Sequence, residues 1–345
     1  PHVEGIEGSM HPELVRRFHE PIRDEAARRY GLSPEQLTEL TAFENFVYEA
    51  ENDDGEGLIL RISHSTRRTI DYTLGEVEFV RYLAAARIPI ASPILSESGQ
   101  FVERIEDREP GSYFVATAFE RAPGIVFDDA PPLKERYWKP PLFRELGRLF
   151  ARLHNRAQTY APSSPRLKRQ EWHEYDVVDI DRFAPPEEKL VRERTAAIIA
   201  RLNQLPRTPE SYGLIHADLH MHNFCFAEGK ITAFDFDNCE YAWFVKDIAV
   251  LLFYIARGEA REARDEAAAS FLGPFLEGYR ELRRMDREWL AAVPDLLALQ
   301  RSMNYALFHQ YRDPAVLDES TLDRWGRFRR DIEADTPVLQ IDFNV

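Results

Sequence analysis

Two short segments of the chain concentrate the residue types that can do chemistry. The first contains His216, Asp218 and Asn223, and the second contains Asp235 and Asp237. Apolar stretches that are typical of strands flank both segments, so we expect these polar side chains to lie in neighbouring loops. Carboxylate and amide oxygens suit a hard cation such as Mg²⁺. A further Asp that binds no metal could accept a proton from a substrate hydroxyl.

The order and spacing of these residues resemble those of a known enzyme family. The pattern H-x-D-x-x-x-x-N at residues 216–223, followed by F-D-F at residues 234–236, is similar to the catalytic and metal loops of aminoglycoside phosphotransferases, choline kinases and homoserine kinases. Residues 146–154 (LGRLFARLH) and 246–249 (KDIA) resemble two further motifs of that family. The ordered set is more specific than any single motif, and it implies a protein-kinase-like fold and a small-molecule kinase.

The resemblance implies a role for each matching residue. Asp218 would accept the proton of the acceptor hydroxyl, and His216 would orient the loop. Asn223 and Asp235 would hold the Mg²⁺ ions that bridge the phosphates of ATP. Asp247 would support the catalytic loop through hydrogen bonds.

The N-terminal part departs from the family pattern at the position that contacts the nucleotide phosphates. The family strand normally presents a Lys there, held by a Glu from the following helix, whereas this chain has Arg61. Glu76 is the expected partner of Arg61, and Glu78 is the alternative. Because Arg keeps its charge and can bind carboxylate and phosphate through two hydrogen bonds, we expect the ion pair to persist.

The first hairpin, around residues 41–47, contains no glycine, although a kinase normally has a G-x-G-x-x-G loop here. Backbone N–H groups of such a loop can still contact phosphates, and Asn45 is the candidate. The resemblance implies that adenine lies along residues 117–121, with Thr117 and Phe119 as candidate contacts. ATP is the expected nucleotide, and the sequence leaves GTP as an alternative.

No motif identifies the acceptor. The candidate acceptor-binding residues are Trp172, Asp237, His309 and Tyr311. Aromatic residues that fill a helical core would give the same pattern. A homoserine-like compound, an amino sugar and an amino alcohol all remain as acceptor classes, and a protein Ser/Thr kinase of the stress-response type is the alternative function.

A second resemblance competes for part of the same segment. Asp218, His220 and His222 form D-L-H-x-H, which is similar to a metal motif of polymerase-and-histidinol-phosphatase-type phosphoesterases. Those enzymes use several more histidines later in the chain, whereas only His309 follows here. A metal-dependent phosphoesterase is therefore less favoured. A nucleotide-binding pseudokinase is also less favoured, because the base and the metal residues are all present.

The predicted elements divide the chain into two parts and indicate an α+β fold with two lobes. We expect residues 10–120 to form a nucleotide-binding lobe, with a leading helix, a small antiparallel sheet and one packed helix. A Pro-rich joint then leads into residues 121–345, a larger helical lobe for catalysis and acceptor binding. Residues 1–9 lack the apolar stretch of a signal peptide and are interpreted as a remnant of an expression vector before a native start at Met10. Helices are predicted at residues 13–30, 69–87, 142–153, 196–205, 244–255, 262–284 and 290–311.

The composition excludes several classes of partner. The 345 residues include 44 Lys and Arg against 59 Asp and Glu, a net charge of −15, which argues against nucleic acid and anionic membranes as partners. Two cysteines fit a reducing compartment. No apolar run approaches the roughly 20 residues that span a bilayer, so we expect a cytoplasmic enzyme. The sequence leaves the oligomeric state open.

Overall fold

The computed structural model describes residues 12–41, 44–175, 178–257, 260–311 and 319–343, and these group into two units. The first unit contains the described residues up to Pro123, together with Ala161–Arg169 and Thr232–Asp237. The second unit contains Gly124–Tyr160, Gln170–Ile231 and the described residues from Asn238 onward. Two short segments from later in the chain therefore belong to the first unit.

The N-terminal helical stretch is two helices, not the single helix predicted over residues 13–30. They are α1 (Pro12–Arg17) and α2 (Glu20–Arg29). Pro21 explains the break, because proline has no N–H to donate and fits only the first turn of a helix. The chain after α2 turns at Gly31, whose φ of +68° favours glycine.

The elements that follow in the first unit are β1 (Thr38–Thr41), β2 (Phe46–Glu51), β3 (Gly57–His64), α3 (Ile70–Ala85), β4 (Pro93–Ile94), β5 (Val102–Glu106) and β6 (Tyr113–Glu120). The strands form an antiparallel sheet in the order β1-β2-β3-β6-β4, with β5 also paired to β6. Asn52 shapes the β2–β3 turn, since its side-chain oxygen accepts the backbone N–H groups of Asp54 and Glu56.

The central strand β3 positions a charged side chain inside this unit. Arg61 lies in the middle of β3, opposite Val47 of β2 and Thr117 of β6. The next element, α3, begins after Thr69, whose side chain accepts the backbone N–H of Tyr72. This helix buries Glu76 completely. The strand–helix pair therefore brings one buried cation and one buried anion into the same unit.

The second unit contains short strands and most of the helices. The strands are β7 (Ile125–Val126), β8 (Tyr212–Ile215), β9 (Phe224–Ala227), β10 (Lys230–Ala233) and β11 (Glu240–Trp243). They form a β10-β9-β7 sheet and an antiparallel β8–β11 pair, and β10 ends within the first unit. Glu228 and Gly229 both have positive φ at the β9–β10 turn, the conformation of a two-residue type I′ hairpin.

The helices of the second unit are α4 (Pro131–Tyr137), α5 (Pro140–Ala157), α6 (Ile180–Phe183), α7 (Lys189–Leu202), α8 (Phe244–Ile255), α9 (Arg261–Arg280), α10 (Arg287–Leu290), α11 (Val293–Tyr311) and α12 (Glu319–Glu333). Four of them, α6, α7, α8 and α12, contact α11, whereas α5 packs against α9. None of the helices in the described ranges is long and apolar enough to cross a membrane.

The architecture is α+β, as predicted, but several elements were not predicted. One is β11, which is only four residues long. Another is α12, where Leu322, Trp325 and Ile332 recur at helical spacing in an otherwise charged segment. That spacing was a usable signal for the helix.

Glycines allow α5 and α9 to approach closely. A Cβ atom added at Gly147 of α5 would lie 2.0 Å from the backbone oxygen of Phe275 in α9. A Cβ atom at Gly278 of α9 would lie 2.1 Å from the backbone oxygen of Arg144. Because both obstacles are backbone atoms, the helices would have to move apart to admit even a methyl group.

Gly147→Ala should therefore lower the free energy of unfolding by about 2 kcal/mol or more, since overpacking is expected to displace one helix. The measurement is urea unfolding followed by circular dichroism. Gly273→Ala is the matched control in α9, because its added Cβ would meet no atom within 4 Å. Equal stability of the two variants would contradict the close helix contact.

Candidate active site

The β8–β11 pair positions the loop of residues 216–223 in the second unit. This 216–223 loop begins directly after β8, and α8 begins directly after β11. Asp247 lies in the first turn of α8. Its Oδ1 accepts the backbone N–H of Ala217 at 2.7 Å, and its Oδ2 accepts that of His216 at 3.3 Å. The Asp247 carboxylate thus holds the start of the loop.

The loop conformation needs this support. Ala217 has φ of +66°, a region that costs free energy for any residue with a Cβ atom. The hydrogen bond from Ala217 to Asp247 stabilises that conformation. His216 is itself buried, and its Nδ1 accepts the backbone N–H of Asp218 at 3.3 Å. The side chain of His216 therefore contacts the loop backbone.

Asp247 has a third partner, the buried imidazole of His154 in α5. Nε2 of His154 lies 3.0 Å from Oδ2 of Asp247, and Nδ1 lies 2.9 Å from the hydroxyl of Tyr279. Because a carboxylate only accepts hydrogen bonds, Nε2 carries the proton and Nδ1 accepts from Tyr279. Burial lowers the pKa of His154 despite the nearby Asp247, which keeps the imidazole neutral.

Asp218 is an ionised carboxylate with several hydrogen-bond donors around it. Its Oδ1 lies 3.3 Å from the Tyr254 hydroxyl and 3.4 Å from Nε2 of His220. Its Oδ2 accepts from the amide of Asn238 at 3.5 Å. Burial raises the pKa of Asp218, but the imidazoles of His220 and His216 outweigh that effect and hold the pKa below its usual value. The group can therefore accept a proton at neutral pH.

His220 is oriented by two contacts. Its ring stacks on Tyr254, with centroids 3.6 Å apart. Its Nδ1 accepts the backbone N–H of His222 at 3.3 Å, so Nε2 carries the proton that faces Asp218. His222 contacts a different carboxylate, because its Nε2 lies 2.8 Å from Oδ2 of Asp128. The two histidines of the D-L-H-x-H pattern thus pair with separate aspartates.

Asn223 directs its amide in a defined way. The Nδ2 group donates to the backbone oxygen of Asp218 at 2.8 Å, and lies 3.4 Å from the Asp218 carboxylate. Since the two ends of an amide point apart, this contact leaves the Oδ1 end of Asn223 as the end that can meet a cation.

In the first unit, Arg61 forms a two-hydrogen-bond ion pair with Glu76. The two N–O distances are 2.9 and 2.5 Å, and both side chains are buried. The alternative residue Glu78 accepts hydrogen bonds from Ser163. Arg61 also lies 3.4 Å from Oδ1 of Asp235. The Asp235 side chain is 46% exposed and its backbone has φ of +63°, so a strained turn presents this carboxylate.

Asp237 is buried in a cluster of arginines and does not line an open surface. Its oxygens lie 2.8 Å from Nε of Arg68 and 3.2 Å from both Nη1 of Arg67 and Nδ2 of Asn45. Burial raises the pKa of Asp237, but Arg68, Arg61 and Arg67 hold it well below its usual range. These contacts favour a structural role for Asp237 over the acceptor-binding role considered from the sequence.

The candidate adenine contacts differ in exposure. Thr117 is buried, and its hydroxyl donates to the backbone oxygen of Phe101 at 3.1 Å. Phe119 is partly exposed, and the Arg61 guanidinium lies 5.2 Å from its ring centroid. Of the two side chains, only that of Phe119 has surface to offer a ligand.

The acceptor candidates in the second unit do not share one environment. Trp172 has no exposed surface and packs on Trp243 with ring centroids 5.2 Å apart. This is the environment expected of an aromatic residue that fills the core. His309 is partly buried beside Tyr305, at 4.7 Å between ring centroids. The side chain of Tyr311 lies outside the described residues. Trp172 is therefore better explained by core packing than by acceptor binding.

Several contacting residues were missed from the sequence. Tyr254 lies seven positions after Asp247 in α8, about two helical turns, so helical spacing could have placed both on one face. His154 is the last residue of the 146–154 motif, and the motif alone does not indicate its contact with Asp247. Arg67 and Arg68 follow β3 directly, and no spacing rule distinguishes them from surface arginines.

Comparison with known proteins identifies the family. A model of the phosphotransferase enzyme family matches residues 36–289. The chain belongs to this family. It is a small-molecule phosphotransferase with a protein-kinase-like α+β fold, which confirms the resemblance, the fold class and the enzyme class predicted from the sequence. Membership also argues against the phosphoesterase hypothesis.

Individual relatives match over nearly the full chain. Amicoumacin kinase from Bacillus subtilis (strain 168) is 38% identical, over 97% of this chain and 98% of its own length. A solved structure of amicoumacin kinase hAmiN in complex with AMP-PNP, Ca²⁺ and Ami is 37% identical, with a TM-score of 0.90 over 97% of this chain and 99% of that one. The solved structure of a microcompartment-associated aminopropanol kinase is 20% identical and shares the fold, with a TM-score of 0.70 over 91% of this chain and 95% of that one.

The environment of His154 gives a testable prediction. Its pKa should lie below the usual value of about 6.5, because burial disfavours the imidazolium. The unfolded chain then binds the proton more readily than the folded one, so this contribution to stability is present above pH ~6.5 and is lost as pH falls below it. The measurement is NMR of ¹⁵N-labelled histidines, with His154→Phe for assignment. An imidazolium signal for His154 at pH 6.5 would contradict the claim that burial keeps this imidazole neutral beside Asp247.

Proposed function

We propose that this enzyme is an ATP- and Mg²⁺-dependent kinase that transfers the γ-phosphoryl group to a hydroxyl of amicoumacin or of a small molecule like it. The reaction breaks the bond between the γ-phosphorus and its bridging oxygen and forms a new bond to the acceptor oxygen. ADP leaves with the bridging oxygen, and the acceptor hydroxyl loses its proton.

The acceptor class rests on the extent of similarity to amicoumacin kinase. At 38% identity the match spans almost the whole of both chains, including the helical second unit. A relative that shared only nucleotide-binding features would not need to resemble this chain over its helices. The homoserine-like, amino-sugar and amino-alcohol classes remain as outcomes of the acceptor test below.

Asp218 is the proposed base, and its contacts are the main support for the reaction type. It is ionised at neutral pH and takes hydrogen bonds from Tyr254 and His220. A carboxylate whose pKa is held low is a weak base, so we expect Asp218 to orient the hydroxyl and to take its proton late in the transfer. His216 and Asp247 accept hydrogen bonds from the loop backbone and so fix the position of Asp218.

Asn223 and Asp235 are the proposed residues for Mg²⁺. Their donor atoms fit, because Asn223 keeps its amide oxygen away from Asp218 and Asp235 presents a half-exposed carboxylate. Mg²⁺ in such sites takes few protein oxygens and completes its coordination with phosphates and water. When bound, the ion neutralises charge on the phosphates.

Arg61 has a donor left for a phosphate. Two of its nitrogens bind Glu76, whereas its Nε is buried and has no hydrogen-bond partner among the described residues. A buried N–H without a partner costs free energy, and a nucleotide phosphate would satisfy it. Arg in place of Lys thus still supplies a cation, as expected from the sequence.

The first experiment is a screen for ADP release with Mg²⁺-ATP and single acceptors. Amicoumacin should give acceptor-dependent ADP release and a phosphorylated product by mass spectrometry. ADP release only with serine homologues, amino sugars or amino alcohols would move the proposal to that acceptor class. Phosphorylation of a generic protein substrate alone would favour the protein-kinase alternative.

Asp218→Asn should lower kcat by about 10²–10⁴-fold, because the amide cannot accept the proton. The dissociation constant for Mg²⁺-ATP, measured by calorimetry, should change little. The matched control is Asp295→Asn, which removes a surface carboxylate paired with Arg201. A kcat near wild type for Asp218→Asn with a proven acceptor would show that another group is the base.

A further inference from the structure

A buried ionic network in the first unit links two loops that are far apart in sequence. We call it the Asp237 network, and its members are Asp237, Arg67, Arg68, Asn45 and Glu44. Asn45 and Asp237 are almost fully buried, and the Arg67 side chain is 14% exposed. Glu44 and Asn45 belong to the β1–β2 loop, whereas Asp237 follows two residues after Asp235.

Arg67 is the member that connects both loops. Its Nη1 donates to the backbone oxygen of Glu44 and to the side-chain oxygen of Asn45, both at 3.2 Å, and to Oδ2 of Asp237 at 3.2 Å. Its Nη2 binds the Glu44 carboxylate. One guanidinium thus holds the backbone of the β1–β2 loop against the segment that follows Asp235.

The side chain of Asn45 is used inside this network. Its Oδ1 accepts from the Ser63 hydroxyl at 2.6 Å and from Arg67, and its Nδ2 donates to Asp237 at 3.2 Å. Both polar ends of the amide therefore have protein partners. If Asn45 contacts a nucleotide, its backbone must make that contact.

The contact to Arg67 fixes the direction of that backbone. The peptide bond between Glu44 and Asn45 is planar and trans, so its C=O and N–H groups point in opposite directions. Because the Glu44 carbonyl points at Arg67, the Asn45 N–H points away from Arg67. A rotation of this peptide would break the Arg67 hydrogen bond.

We propose that Arg67 is a positioning residue that fixes the β1–β2 loop so that the backbone N–H of Asn45 meets a phosphate of the nucleotide. The inference rests on the proposed function of the enzyme as an ATP-dependent kinase. Residues 41–47 contain no glycine to let the backbone adapt to a phosphate, so the loop needs its peptide oriented in advance. Arg67 supplies that orientation through charge-assisted hydrogen bonds.

The test compares the affinity of Arg67→Ala and wild type for Mg²⁺-ATP and for adenosine, by calorimetry without acceptor. Arg67→Ala should weaken Mg²⁺-ATP binding about tenfold or more, the loss expected for one hydrogen bond to a charged group. Adenosine binding should stay within about twofold, because adenosine has no phosphate. The Mg²⁺-ATP affinity of Arg67→Lys should lie between those of wild type and Arg67→Ala. An ammonium keeps the charge, but it cannot reach all four acceptors of the guanidinium.

Arg166→Ala is the control, because Arg166 pairs with Asp71 on the surface of the same unit. It should bind both ligands as wild type does. Equal losses for ATP and adenosine in Arg67→Ala would mean general damage to the unit and would overturn the positioning role. Unchanged ATP affinity would also overturn it. Failure of the wild type itself to bind ATP would overturn the kinase proposal together with this one.

If Arg67→Ala does not fold, Glu44→Gln keeps the test decisive, because it retains the backbone carbonyl contact and removes only the carboxylate partner. The proposal then predicts a smaller loss of ATP affinity for Glu44→Gln than for Arg67→Lys. Wild-type ATP affinity in Arg67→Lys would overturn it.

Discussion

The hydrogen bonds that the Asp247 carboxylate accepts are the interaction on which the 216–223 loop depends. They hold the N–H groups of His216 and Ala217, and so stabilise a positive φ that Ala217 would otherwise disfavour. Asp218 follows directly, so its position depends on that turn. His154 completes the arrangement by donating to the same carboxylate while remaining neutral. A buried carboxylate with three donors is thus the support of the proposed base.

The first unit also contains buried carboxylates, and there the groups that satisfy them are charged arginines. Glu76 and Asp237 are buried carboxylates, and arginines on β3 and directly after it neutralise them. Breaking such a pair on one side is costly, because the other charge stays buried. The network therefore restricts how the β1–β2 loop can move.

The sequence predicted the parts of the structure that local patterns control. Helix α8 has the predicted bounds, because apolar residues at helical spacing mark where it begins and ends. The sequence could not separate Glu76 from Glu78, since the choice depends on which face of α3 lies against β3. Nor could it tell that Trp172 and Asp237 are buried, because burial depends on contacts between distant segments. The family motif located Asp218 and Asp247, but the role of Arg67 needed the three-dimensional contacts.

The most direct test of the account is the kcat of Asp247→Asn, measured with a proven acceptor on protein whose circular dichroism is native. An amide can accept at only one end, so one of the contacts to the loop is lost while the nucleotide-binding groups of the first unit are untouched. The account predicts a fall in kcat of about a hundredfold, as for a misplaced reacting group, with the Mg²⁺-ATP dissociation constant unchanged. A wild-type kcat in this variant would contradict the claim that Asp247 positions the proposed base.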